Sequence, residues 1–251
     1  MISKNKIKYL RSLKLKKFRQ KYNNFTVEGD KIVLELLQSS KVEIETIIAT
    51  ENWQQQYFNQ TLGKSSLIET AKEVDIKKFS NFSTPSSVFV VAKKIETEWK
   101  DDVIKNNFSL YLDGIQDPGN FGTILRIADW FGIPYVFCSP QCADLYHPKV
   151  IQSSMGAFLR LNVACTPFDT LFEPYRDMPF YGTVLDGKDI FSTDKYQNGC
   201  IVIGNEGQGI SPDILKKLTH RVLIPKGQNG GAESLNAAVA TGIVCAILTR
   251  K

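Results

Sequence analysis

Only two histidines, His147 and His220, occur among the 251 residues, beside five cysteines and three methionines. So few imidazoles and thiols leave little from which to build a zinc site. Cys138 and Cys142 with His147 lack both CxxC spacing and a fourth ligand, and no metal is expected. The cysteine count is odd, and Cys138, Cys142, Cys165, Cys200 and Cys245 lie mostly in apolar runs. That pattern fits reduced, buried thiols better than a disulfide framework. No apolar run approaches the roughly 18 uncharged residues of a membrane span. The Lys-rich N-terminus lacks the apolar stretch of a secretory signal, so a cytoplasmic protein without a membrane partner is expected. Familiar catalytic signatures are missing as well. There is no GxxxxGK[ST], and neither early glycine turn spells GxGxxG followed by a ribose-binding acid, which removes most support for nucleotide hydrolysis or dinucleotide-dependent oxidoreduction. No GxSxG surrounds a nucleophile near either histidine, so a Ser–His or Cys–His engine is poorly supplied.

The composition that remains, 43% hydrophobic, 11% aromatic and 23% charged, supports an ordinary core in one large domain or two small ones. The net charge of +5 is unevenly placed. Through Asn107 there are 19 basic and 13 acidic residues, a net of +6, whereas the remainder holds 12 and 13, a net of −1. The first 21 residues carry Lys4, Lys6, Lys8, Arg11, Lys14, Lys16, Lys17, Arg19 and Lys21 without one acid. A polyanion partner explains such a run, and a frayed, solvated terminus explains it equally well.

Periodicity predicts a helix over Glu28–Gln38, a strand over Val42–Ala49, a short helix over Ala71–Phe79 and a strand over Ser86–Ala92. Together these make a small α/β unit. The polar stretch Lys93–Asn107 marks a composition shift, and a linker over 98–107 is expected to separate residues 1–97 from 108–251. Beyond it, apolar runs alternate with helical segments: Ser109–Leu112, Tyr135–Cys138, Leu161–Ala164, Tyr181–Leu185, Cys200–Ile203 and Arg221–Ile224. That alternation predicts a parallel sheet covered by helices. A terminal helix opens at Ser234 as its expected N-cap, with an apolar face from Leu235 to Ile247 that suits a subunit interface.

In open α/β sheets, ligands bind beyond the carboxyl ends of the strands. Three glycine-rich turns fall there: DGIQDPGNFGTILR (Asp113–Arg126), GNEGQG (Gly204–Gly209) and IPKGQNGGAESLN (Ile224–Asn236). Glycine allows close approach to the backbone, and a helix N-terminus offers free amides. The motifs DPGNFGTILRIADWFG, IVIGNEGQGIS and VLIP with ESLNAAVA, in this order, resemble the signature motifs of the SpoU (TrmH) family of RNA ribose methyltransferases, within the SPOUT class. SSMGAFLRLNV (Ser153–Val163) looks like the family's serine- and glycine-containing segment. The resemblance covers residues from about 108 to the C-terminus. The N-terminal part more weakly resembles a small substrate-binding domain related to a kink-turn-binding ribosomal-protein fold.

The resemblance implies an α/β parallel-sheet domain with a deep trefoil knot, an S-adenosylmethionine site and a homodimer. Asn120, Arg126, Glu206, Ser234 and Asn236 become the catalytic candidates. Ile203, Gly204, Asn205, Gly207, Ile224, Pro225, Ser234 and Leu235 become the cofactor-binding candidates. The implied reaction is 2′-O-methylation of ribose in structured RNA, with 23S ribosomal RNA ahead of transfer RNA. A non-catalytic ribosome-assembly protein of the same fold is the alternative. Lys8, Arg11, Lys14, Lys16, Lys17 and Arg19 are the expected RNA contacts. A guanidinium normally stays protonated, so Arg126 is expected to bind phosphate and stabilise a developing alkoxide, acting as a base only if its pKa is unusually depressed. Glu206 is expected to favour the cationic sulfonium. Lys226 and the Gly230–Gly231 pair depart from the family's usual third loop.

Overall fold

Short runs without polar alternation are the mark of strands buried on both faces. The computed structural model describes residues 2–192 and 196–250. Its strands, numbered along the chain, are β1 (Asn24–Glu28), β2 (Ile44–Ala49), β3 (Ile68–Thr70), β4 (Val88–Lys93), β5 (Ser109–Leu112), β6 (Tyr135–Cys138), β7 (Asn162–Cys165), β8 (Phe180–Asp189), β9 (Cys200–Ile203) and β10 (His220–Leu223). They divide between two sheets, one in each of two units. The first unit holds the chain through Glu96 together with Asp144–Leu159, and the second holds Thr97–Ala143 and the chain from Arg160 onward.

In the first unit the order is β1–β4–β2–β3, antiparallel except for the parallel β2–β3 pair. The basic N-terminus is not frayed. It forms helices Lys4–Ser12 and Lys16–Tyr22, which bury Leu10 and Leu13 against Ile48, Phe79 and Phe89. Ser3 caps the first helix by accepting from the Lys6 amide, an interaction worth about 1 kcal/mol. Lys8, Arg11, Lys14, Lys16 and Lys17 are exposed. Arg19 is not, and its expected role as an RNA contact is corrected: it is 1% exposed. Its guanidinium pairs with Asp144 at 2.5 Å and donates to the carbonyls of Leu13 and Lys14 at 2.8 and 2.7 Å. A charge buried this way survives only because its donors are matched. Glu28, placed by periodicity at the start of a helix, instead ends β1. Its buried carboxylate accepts from Ser80, from the Asn81 amide at 2.8 Å and from the Asn81 side chain at 2.6 Å.

In the second unit, six of the described strands run parallel in the order β10–β8–β9–β5–β6–β7. Tyr111, Tyr135, Phe137, Phe168 and Phe180 form much of one core layer. The expected 98–107 linker carries a helix, Asp101–Asn106, whose Ile104 is 1% exposed. Around it, Trp99 packs on Phe137, the Lys100 amide donates to the Tyr135 hydroxyl at 3.0 Å, and Thr97 donates to the Val163 carbonyl at 2.9 Å. β8 outruns the expected Tyr181–Leu185 because it keeps pairing with β10 past a register shift between Arg221 and Val222. Among the described residues, no helix is long and apolar enough to cross a membrane.

Candidate active site

Because β5, β9 and β10 belong to one parallel sheet, the turns that follow them leave from the same edge. The first turn feeds the helix Pro118–Trp130. Asp117 accepts from the Asn120 amide at 2.8 Å as its N-cap, and Pro118 occupies the first turn, where a missing N–H costs nothing. The second turn folds on itself through paired Asn205–Gly209 backbone bonds of 3.0 and 2.9 Å. A Cβ on Gly204 would lie 2.3 Å from the Gly209 carbonyl carbon, so only glycine permits this fold. The third turn runs to the terminal helix Ala237–Leu248.

Two braces tie the second turn to the first. The Ser211 amide donates to Asp113 Oδ2 at 2.7 Å. Asn205 Nδ2 donates to the Gly114 carbonyl at 2.7 Å, while Asn205 Oδ1 accepts from the amides of Gly207 and Gln208. Asn205, expected at the cofactor, therefore spends one end of its side chain inside its own loop and the other on the first turn. Asp113 escaped the sequence reading; its only trace there is an acid directly after an apolar strand.

Three side chains, one from each motif, join in a single line. Asn120 Nδ2 donates to Glu206 Oε1 at 2.7 Å, and Asn120 Oδ1 accepts from Asn236 Nδ2 at 2.9 Å. Asn236 Oδ1 then accepts from the amides of Ala238 and Val239 at 3.0 and 3.3 Å. The direction is enforced at both ends, since an ionised carboxylate only accepts and helix amides only donate. Asn236, not Ser234, is thus the N-cap of the terminal helix, which corrects the expected helix start. The reason is reach: the Asn236 carboxamide meets two first-turn amides from its own position. Ser234 is exposed and makes no hydrogen bond among the described residues.

Arg126 lies on the Pro118–Trp130 helix, six residues past Asn120 and exposed. Its guanidinium has no hydrogen bond or ion pair among the described residues. Ile203 is buried, Gly204 and Ile224 are half-buried, and Pro225, Gly207 and Leu235 are exposed. A Cβ on Gly207 would make only an ordinary contact, 3.6 Å from Asn205 Oδ1, and its φ is not in the positive range, so nothing local demands glycine there. From Lys226 to Leu235, Gly230 apart, the amides have no protein partner among the described residues. Open amides beside a half-buried carboxylate suit a small ligand that carries both a cation and acceptor groups. An open concavity of about 430 Å³ adjoins this edge, lined by Asn120, Thr123, Ile127, Asn236, Val239 and Ile243 among others.

The cysteines stand apart from this chemistry. Burial pushes the thiols of Cys200 and Cys245 up to about 12 and raises that of Cys142. None of these is a ready thiolate at neutral pH. His147 accepts from the Lys149 amide through Nδ1 at 3.2 Å as a helix N-cap, so that nitrogen is already engaged.

Comparison with known proteins agrees with the geometry. A profile of the SpoU rRNA methylase family matches residues 107–246, and one of the MRM3-like substrate binding domain matches residues 4–90. The chain is 28% identical over 242 residues to the 23S rRNA (guanosine(2553)-2′-O)-methyltransferase RlmP of Bacillus subtilis, covering 95% of this chain and 94% of that protein. A TrmH-family protein from Porphyromonas gingivalis superposes with a TM-score of 0.82 at 35% identity, covering 98% of this chain and 97% of that one. An AdoMet-bound rRNA methyltransferase from Sinorhizobium meliloti gives 0.85 at 25% identity, covering 98% and 94%. Three motifs meeting at one sheet edge and a matched profile spanning more than half of the sequence have the same explanation: this chain belongs to the SpoU rRNA methylase family.

Proposed function

We propose that the protein transfers a methyl group from S-adenosylmethionine to a ribose 2′-hydroxyl of structured RNA, with large-subunit ribosomal RNA as the favoured substrate. The observation that carries this reading is the Glu206–Asn120–Asn236 line, which joins all three motifs at the carboxyl edge of the parallel sheet. The family membership and the RlmP relationship support both the activity and the choice of RNA.

The cofactor supplies a methyl group made electrophilic by a sulfonium. Around it, Ile203, Gly204, Ile224, Pro225 and Leu235 are the residues that would hold it, and the open amides of the third turn are free to do so. Glu206, kept in place by Asn120, adds negative charge near a cationic ligand. Arg126 has an uncommitted guanidinium fork that binds the phosphate next to the target ribose and stabilises the oxyanion formed as the hydroxyl loses its proton. Ser234, exposed beside the third turn, is assigned to substrate contact.

The exposed cations of the first unit hold the RNA in this reading, and the fold carries the trefoil knot of its family. A second copy of the chain covers the concavity between helices Pro118–Trp130 and Ala237–Leu248, where Val239 is 52% exposed. The enzyme works in the cytoplasm. The test is methyl transfer from labelled S-adenosylmethionine to unmodified total RNA, with Arg126→Ala as control and the product mapped by resistance to alkaline cleavage. Resistance at one position of ribosomal RNA, absent with the mutant, supports the proposal. Resistance in transfer RNA reassigns the substrate, and cofactor binding without transfer to any RNA overturns it.

A further inference from the structure

Helix Lys16–Tyr22 presents two side-chain rows beside each other. Phe18 and Tyr22 are four residues apart and stack at 6.2 Å with their planes 13° apart. The next row is Lys17 and Lys21, whose ammonium groups sit 5.0 Å and 5.5 Å from the Phe18 and Tyr22 ring centres. Tyr9 from the preceding helix meets the edge of Tyr22 at 5.1 Å. Tyr9 is itself held fast: its hydroxyl donates to Glu45 at 3.0 Å and accepts from Asn24 at 2.5 Å.

Packing alone does not account for this group. Leu10 and Leu13 already fill the space beneath the two helices, at 1% and 0% exposure, whereas Tyr22 is 37% exposed and Phe18 half-buried. Nor does local charge pairing account for it. Among the described residues Lys17 and Lys21 have no ion pair, while Glu45 is engaged with Tyr9, Asn24 and Lys93, and Asp144 with Arg19 of the same helix. The result is a buttressed aromatic surface edged by unneutralised cations, which is the chemistry that receives a nucleobase and its phosphates.

We propose that Phe18 and Tyr22 form a stacking platform for an unpaired nucleotide of the RNA substrate, with Lys17 and Lys21 binding the flanking phosphates. This rests on the RNA-methylating reading and adds to it a site for single-stranded nucleotides distinct from the methyl-transfer edge. The lysines that lie over the rings swing to the phosphates as a base takes their place. Stacking on an aromatic face tolerates any base, so the probe need not be the natural substrate.

The probe is an RNA hairpin with 2-aminopurine in its unpaired loop, compared at low salt with a fully paired duplex of the same stem. With the full-length protein, loop binding quenches the fluorophore. Tyr22→Ala weakens hairpin binding by on the order of tenfold and abolishes the quench, while the slope of affinity against salt is unchanged because no charge is lost. Tyr22→Trp restores both. Lys17→Ala or Lys21→Ala lowers the salt slope by roughly one and keeps the quench at saturation. Binding of the paired duplex is indifferent to Tyr22→Ala. The platform is overturned if Tyr22→Ala matches the wild type in affinity and quench, if it weakens duplex and hairpin equally, or if Tyr22→Trp fails to rescue while melting like the wild type. Wild-type protein that methylates RNA but never quenches the loop overturns the platform and leaves the activity standing. Absence of methylation with the quench intact overturns only the activity.

Discussion

A carboxamide has one donor end and one acceptor end, and at Asn120 both are committed, to Glu206 and Asn236 respectively. Asn120→Asp keeps the shape but turns a carboxylate toward Glu206, replacing an attraction with a repulsion. Single-turnover methyl transfer is expected to fall at least 100-fold, the scale seen when one positioned donor is removed from an active site. Glu206→Gln should cost less, roughly tenfold, because a carboxamide still accepts but no longer enforces the direction of the line. Arg126→Lys separates charge from geometry: if the guanidinium fork grips a phosphate, an ammonium at the same place loses the second hydrogen bond, and turnover at subsaturating RNA drops by about tenfold. A different experiment isolates Arg19, the one expected RNA contact that turns inward. Asp144→Ala strands a buried guanidinium and should cost about 3–5 kcal/mol, lowering the melting midpoint by roughly ten degrees. RNA affinity measured well below that midpoint should not change, because the side chain never reaches solvent. Composition counted Arg19 among nine cations; only the position of Asp144, 125 residues away, shows which of them is structural.

Among the elements, the terminal helix links stability to the site because its N-cap residue is also a member of the line. Asn236→Ser retains a capping oxygen but cannot reach Asn120. Its melting midpoint should stay near that of the wild type while turnover falls, whereas Asn236→Ala loses about 1 kcal/mol as well. Ser234→Ala should leave the midpoint alone, and a calorimetric scan of the three variants checks the assignment. The sequence placed the cap two residues early because Ser, Thr, Asp and Asn are nearly equivalent at a cap, so pattern cannot choose among neighbours. Strands Ser109–Leu112, Tyr135–Cys138 and Cys200–Ile203 were legible to the residue, since a strand covered on both faces must be apolar throughout. β1 was not, because its run NFTVE buries the polar Asn24, Thr26 and Glu28, and the partners of Asn24 and Glu28 arrive from other segments. The helix Pro148–Ser154 adds a pH dependence. Burial and the nearby Arg19 depress the His147 pKa below its usual 6.5, so the folded state favours the neutral ring. This stabilisation is complete above about pH 6.5 and is lost as pH falls through the lower folded value, where a protonated Nδ1 can no longer accept from Lys149. His147→Asn supplies an acceptor that does not titrate and should flatten the melting midpoint between pH 7 and 5.

For the whole molecule, the division of labour between units meets a feature of connectivity that sequence reading did not reveal. The chain leaves the parallel sheet after β6, contributes Asp144–Leu159 to the first unit, and only then returns as β7. There Phe158 packs edge-on to Phe25 at 5.9 Å and Tyr146 lies 4.7 Å from the same ring. A truncation that begins at residue 98 therefore removes the partners of Tyr146, Val150, Ile151 and Phe158, all buried in the intact chain. Such a fragment should bind a hydrophobic dye and precipitate, and co-expression with residues 1–97 should restore solubility. A test of RNA capture thus needs the full chain, with charge rather than mass removed. Replacing Lys8, Arg11, Lys16 and Lys17 by Gln takes away four exposed cations and leaves the buried Arg19–Asp144 pair untouched. If each contacts one phosphate, the slope of log affinity against log salt should flatten by roughly three to four units. S-adenosylmethionine affinity, measured by calorimetry on the same variant, should equal that of the wild type. An unchanged slope would mean that the basic run only solvates the first unit, and RNA capture would then have to lie on another surface.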